Sequence, residues 1–160
     1  MITDDSTAHT GKKSAKIIQT KVSLNATNVK ILHYDIPFEK SKTYTLAFWA
    51  KVDAREGNSR EFNLNMGAMD NPITVILNKT VVLDSTEWKE YIYTFTAPDD
   101  YNSKIWLSLY VGLSDIDFWI DDVRFFEGEL SDEIGNRETI IKLLNRIFQS
   151  VSWGGVKHPQ

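Results

Sequence analysis

Trp49, Trp106 and Tyr110, with Asn63 and Asn65, are the residues of this chain whose types and positions could do chemistry. Each lies in a run that alternates large apolar with polar or small side chains, the period-two signal of a half-buried strand. In Lys104 to Gly112 the core set is Ile105, Leu107, Leu109 and Val111, so Trp106, Ser108 and Tyr110 point the other way. In Thr43 to Val52 the buried set Tyr44, Leu46, Phe48 and Val52 turns Thr45, Ala47, Trp49 and Lys51 outward. In Glu61 to Met66 the set Phe62, Leu64 and Met66 leaves Glu61, Asn63 and Asn65 opposite. Flat rings beside amides suit a sugar-binding surface: the ring packs on the C–H face of a pyranose, while amides donate to and accept from hydroxyls. The same tryptophans could instead pack beneath loops or a C-terminal helix, since Trp is highly buried on average. Exposure of the rings separates the two.

A second constellation is Asp121-Asp122, set between Phe118-Trp119-Ile120 and Val123-Arg124-Phe125-Phe126. Carboxylates in so apolar a strand are costly unless a cation or hydrogen-bond donors offset them. A bound cation would do this, and so would an ion pair with Arg124, Lys12 or Lys13. Nothing comparable points to catalysis. His9, His33 and His158 are far apart, no metal-binding His-Glu-x-x-His or Gly-x-Ser-x-Gly elbow occurs, and there are no cysteines. His33 and Asp35 share a strand face at the rim, and Asp115, Asp117 and Asp121 all fall in one strand and its preceding turn, not across a cleft. The expected absence of enzymatic activity rests on these points.

Turn signals at Gly11, 25–28, 37–42, 55–59, 70–72, 84–86, 98–103, 114–115 and Gly128 divide the first 128 residues. The intervals hold eight strand-like runs: 15–24, 29–36, 43–52, 61–66, 73–83, 88–96, 104–112 and 117–126. Strands at this spacing without helical pattern make an antiparallel all-β sandwich or barrel. The texture changes over 129–160. Ile140, Ile141, Leu143, Leu144, Ile147, Phe148 and Val151 recur at three- and four-residue spacing, which predicts an amphipathic helix over about 137–151. The 160 residues, 42% hydrophobic and 25% charged, make one globular domain (1–128) plus a tail. A net charge of −4 gives no basic stripe for nucleic acid, and no apolar run is long enough to insert in a membrane. Residues 1–16 are polar and lack a signal-peptide core.

Four segments in order resemble landmarks of the β-jelly-roll carbohydrate-binding modules of families 4, 9 and 22. They are Gly11-Lys12-Lys13-Ser14-Ala15-Lys16-Ile17, Lys42 through Lys51 (KTYTLAFWAK), Glu87-Trp88-Lys89-Glu90-Tyr91 through Thr96-Ala97-Pro98, and Phe118-Trp119-Ile120-Asp121-Asp122-Val123. The resemblance implies a two-sheet jelly roll that binds a polysaccharide or oligosaccharide. It implies an extracellular or cell-surface setting, with an attached catalytic or anchoring domain. It places a tryptophan at Trp49 and a tyrosine at Tyr110 on the glycan, and a structural Ca²⁺ on the Asp121 side chain and the backbone near Lys12. Family 22-like modules carry an acid two residues beyond that tyrosine; here the position is Gly112, so the resemblance does not extend to xylan specificity. The family's opening strand, with its calcium-ligating acid, has no counterpart before Gly11. The alternative to sugar binding is a structural or protein-interaction sandwich of a larger extracellular protein.

Overall fold

The alternation of apolar and polar residues becomes two antiparallel sheets in the computed structural model, which describes residues 1–36, 38–53, 59–70, 72–101 and 104–131. Nine strands form in this order: β1 (Ile2–Asp4), β2 (Ser14–Ile17), β3 (Lys30–Tyr34), β4 (Thr43–Val52), β5 (Arg60–Ala68), β6 (Thr74–Leu83), β7 (Lys89–Thr96), β8 (Ile105–Tyr110) and β9 (Phe118–Glu127). One sheet has the order β1-β2-β9-β4-β7, the other β3-β8-β5-β6. Strands adjacent in sequence are mostly not neighbours in a sheet, the crossing pattern of a jelly roll.

Between the sheets lie Leu46, Phe48, Leu64, Met66, Leu107, Phe118, Ile120 and Phe125. Each large apolar side chain removed from water contributes about 1.5–3 kcal/mol. Aromatic packing fills one end. Tyr44 stacks on Phe125 with centroids 5.3 Å apart, and Phe38 lies 4.6 Å from Tyr44. At another point the core accepts a charge. Arg60 is buried, its guanidinium 4.4 Å over Phe118, donating to the carbonyls of Ile116 and Val111. Burial pulls its pKa down to about 10, against the opposing pull of Asp117 and Asp115. Gln19, also buried, donates to Gly112 O at 2.8 Å and so ties the β2–β3 connection to the end of β8.

Two elements differ from the sequence expectation. The run 15–24 is a strand only to Ile17; beyond it the chain turns through a 3-10 segment, Ala26–Asn28, capped by Asn25, whose side chain accepts from Thr27 N at 3.0 Å. An asparagine that satisfies its own turn competes with strand pairing. Conversely, Ile2–Asp4 forms an edge strand on β2 that three residues of mixed polarity do not announce. The helix expected over 137–151 lies outside the described residues.

Candidate functional site

Strand register sorts the candidate residues more finely than parity can. Residues directly paired across an antiparallel ladder share a face. In the four-stranded sheet Asn63 pairs with Tyr110, Asn65 with Ser108 and Gly67 with Trp106, while β3 brings Lys30, Leu32 and Tyr34 opposite Tyr110, Ser108 and Trp106. On the far side β6 adds Asn78 beside Asn65 and Thr80 beside Asn63. Trp106, Tyr110, Asn63 and Asn65 therefore occupy one surface, the outer face of this sheet. Trp106 and Tyr110 stand four residues apart on β8, about 13 Å at strand rise. Between them Ser108 is a small, buried floor.

Gly67 sets the posture of Trp106. A Cβ at Gly67 would lie 3.0 Å from Trp106 Cζ2 and 3.2 Å from Cε2, and 2.7 Å from the Thr74 carbonyl oxygen. The indole thus lies over the neighbouring strand where a side chain would otherwise stand. Tyr34, 47% exposed, flanks it from β3. The amide of Asn63 is held by Thr80, whose hydroxyl donates to Asn63 Oδ1 at 3.3 Å. Sequence reasoning missed Tyr34 and Gly67. Within the strand 29–36, Ile31 and His33 on one face compete with Leu32 and Tyr34 on the other, so period two does not fix its outward side.

Trp49 and Lys51 also point away from the core, but from β4, so they lie on the outer face of the five-stranded sheet, apart from the other four. Alternation fixes which side of a strand a residue occupies, not which sheet the strand joins. There the half-buried Trp49 carries another ring on one face. His9, on the β1–β2 connection, stacks on it with centroids 3.7 Å apart and planes 10° apart, and the His9 ring meets Trp88 edge-on at 6.2 Å. Lys51 Nζ sits 5.3 Å from both the Trp88 and Trp119 rings, and Lys16 Nζ lies 4.6 Å over Trp119. Trp119 Nε1 donates to Asp4 Oδ2 at 2.6 Å, and Arg124 pairs with Glu90. Asp4 is held down to about pKa 2, first by the Ser6 hydroxyl, then by the Trp119 indole N–H and the Ser6 amide.

Asp121 and Asp122 fasten the same connection. Asp121 Oδ2 accepts the backbone N–H groups of His9 (2.8 Å) and Thr10 (3.3 Å), and Oδ1 accepts that of Asp122 (2.8 Å). Asp122 Oδ2 lies 2.6 Å from His9 Nδ1, and its Oδ1 accepts from Thr10 Oγ1 at 2.6 Å. The geometry depends on a bulge. Register shifts between Ala47 and Trp49, so Asp122 and Val123 together face Phe48, and Asp122 takes a left-handed φ of 48°. Calcium takes six to eight oxygen ligands. Here N–H donors already aim at both oxygens of Asp121, and no group of three or more acidic or histidine side chains converges among the described residues to join the backbone near Lys12. This donor set does not fit a calcium site. Hydrogen bonds offset the charge instead.

Known proteins resemble this arrangement at two levels. Structurally, the chain is similar to a CBM4 structure (24% identity, TM-score 0.64, covering 74% of each chain). It is also similar to the CBM22-1 xylan-binding domain from Paenibacillus barcinonensis Xyn10C (12%, 0.56, 79% of this chain and 80% of that one). A third is the C-terminal family 22 carbohydrate binding module of Clostridium thermocellum Xyn10B (17%, 0.56, 79% of each). At such identities these likenesses speak for the jelly-roll sandwich alone. No curated protein matches the sequence significantly. The family model for the carbohydrate binding domain CBM_4_9, however, matches residues 1–116, well over half of the chain. By that match, on a two-sheet sandwich with an aromatic and amide surface, the chain belongs to the carbohydrate binding domain family.

Proposed function

We propose that this domain holds a neutral polysaccharide or oligosaccharide, without cleaving it, on the outer face of the four-stranded sheet. Trp106 and Tyr110 are the stacking platforms, Asn63 and Asn65 the hydrogen-bonding amides between strands, and Tyr34 a flank. The observation that carries this reading is the indole lying across Gly67, beside a row of amides and hydroxyls in register with it. A flat ring face costs little conformational entropy to present, and the small residues beside it leave room for a sugar ring. The span of about 13 Å between Trp106 and Tyr110 suits a chain of more than one sugar running along β8. Xylan, which one structural neighbour binds, is one member of that class.

In this role the domain works outside the cell and raises the local concentration of glycan around an attached catalytic or anchoring partner. Affinity is weak, because an open surface exchanges water contacts for protein contacts at small net gain. Titration against soluble xylans, β-glucans and mannans, with reducing-end release measured in parallel, tests the reading. Saturable binding to one class without release of new reducing ends supports it. Absence of binding to all three classes, or release of new ends, contradicts it.

A further inference from the structure

The outer face of the four-stranded sheet differs at its two ends. Past Tyr110 the ladder between β3 and β8 runs on for one more residue, with Val111 N donating to Val29 O at 2.9 Å and the Val111 side chain buried in the core. Gly112 is therefore the next position on the outward side. It is buried there, under the connection from β2 to β3. A Cβ at Gly112 would lie 2.9 Å from Ala26 O, 3.0 Å from Asn25 O and 3.3 Å from Ser23 Cβ. Past Trp106, by contrast, Lys104 is exposed, and so is Met69, two residues beyond Gly67.

The covering segment is held fast. Ser23 N and Gln19 Nε2 both donate to Gly112 O at 2.8 Å. Gln19 is buried, donates also to Lys21 O at 2.9 Å, and accepts at Oε1 from the buried Arg60 guanidinium at 3.4 Å. Asn28 N donates to Asn25 O at 3.1 Å and Asn28 Nδ2 to Ser23 Oγ at 2.9 Å, which closes 23–28 on itself. Lifting the segment off would strand buried polar groups of Gln19 and Gly112, a cost that a weakly binding open surface does not offset.

We infer that residues 23–28 are a fixed wall across the Tyr110 end of the glycan face, so that the domain takes the end of a polysaccharide chain and not its middle. This rests on the reading that glycan lies along β8 between Trp106 and Tyr110. A mid-chain stretch stacked on both rings would have to continue past Tyr110 into the space held by Asn25 and Ala26. A terminal sugar on Tyr110 meets no such conflict, and the rest of its chain leaves past Trp106 over the exposed end. The chemistry of the wall suits an end as well. A terminal sugar carries a free hydroxyl where an internal one carries a glycosidic bond, and the wall presents exposed Asn25, Thr27 and Asn28, with Lys30 opposite Tyr110. Amides and hydroxyls both donate and accept, as that hydroxyl requires.

Binding capacity against chain length tests this, using size-fractionated chains of whichever of xylan, β-glucan or mannan binds the unaltered protein. Recognition of ends predicts one domain per chain whatever its length, so halving the mean length doubles the capacity per gram. Reduction of the reducing end, or methylation of the terminal hydroxyl at the other end, should abolish binding, and whichever does so names the end. Replacing residues 24–27 by two glycines removes the wall between Ser23 and Asn28, which already lie within hydrogen-bond reach, and should let several domains bind one long chain. Capacity per gram that is independent of chain length, or unaffected by blocking either end, would overturn the inference and leave the glycan reading standing. An unchanged number of domains per chain in a cooperatively folding wall-less variant would also overturn it. Absence of binding to all three glycan classes would overturn both.

Discussion

His9 lies on Trp49, ring centroids 3.7 Å apart and planes within 10°, with its backbone N–H on Asp121 and its Nδ1 on Asp122. A histidine from the β1–β2 connection thus takes the place on Trp49 that a sugar ring would need. Trp49 therefore fastens the edge of the five-stranded sheet. Trp49→Ala should lower unfolding free energy by about 1–3 kcal/mol, the scale for losing a half-buried ring and its stack, while leaving glycan affinity within about twofold. Chemical denaturation beside calorimetric titration checks both halves.

How far this arrangement could be read in advance differs from element to element. The outward set of β4, Thr45, Ala47, Trp49 and Lys51, follows from period two because core residues on that strand are large and regular. The partition between sheets does not follow, since β4 joins β9 and β7 whereas β5 joins β8 and β6, pairings made by residues far apart in sequence. Asp121 was recognisable as a carboxylate needing partners, but not the partners, which are backbone N–H groups that every residue carries. Arg60 resembled any surface arginine; its burial depends on carbonyls of Val111 and Ile116 on distant segments. Gly67 lies just past the run 61–66 and near the end of β5, and its meaning appears only beside Trp106.

Acid should loosen the β1 edge. Asp4 has its pKa lowered to about 2 from an ordinary 3.8, chiefly through the Ser6 hydroxyl and then the Trp119 indole N–H. A carboxyl depressed in the folded state contributes stability that is present above pH 4 and is lost as pH falls through about 2. Asp4→Asn should flatten the pH dependence of thermal unfolding between pH 4 and 2. Identical slopes for the two proteins would count against the Asp4–Trp119 tie.

The hydrogen-bonded form of Asp121 has its own test. Asp121→Ala strands three backbone N–H groups and should cost about 2–3 kcal/mol. A chelator should leave the melting temperature of the unaltered protein unchanged. A melting temperature that falls with chelator, recovers with calcium and loses this response in Asp121→Ala would show that a cation displaces those N–H donors.

Calorimetric titration of the glycan selected from the panel, compared among Trp106→Ala, Tyr110→Ala, Gly67→Val and Trp49→Ala, addresses the central claim most directly. The outer face of the four-stranded sheet as the binding surface predicts losses of about 1–3 kcal/mol for Trp106→Ala and Tyr110→Ala. It predicts a clear loss for Gly67→Val, whose Cβ meets the indole, and none for Trp49→Ala. Full affinity in Trp106→Ala and Tyr110→Ala with binding abolished in a folded Trp49→Ala would contradict it and place the glycan on the other sheet.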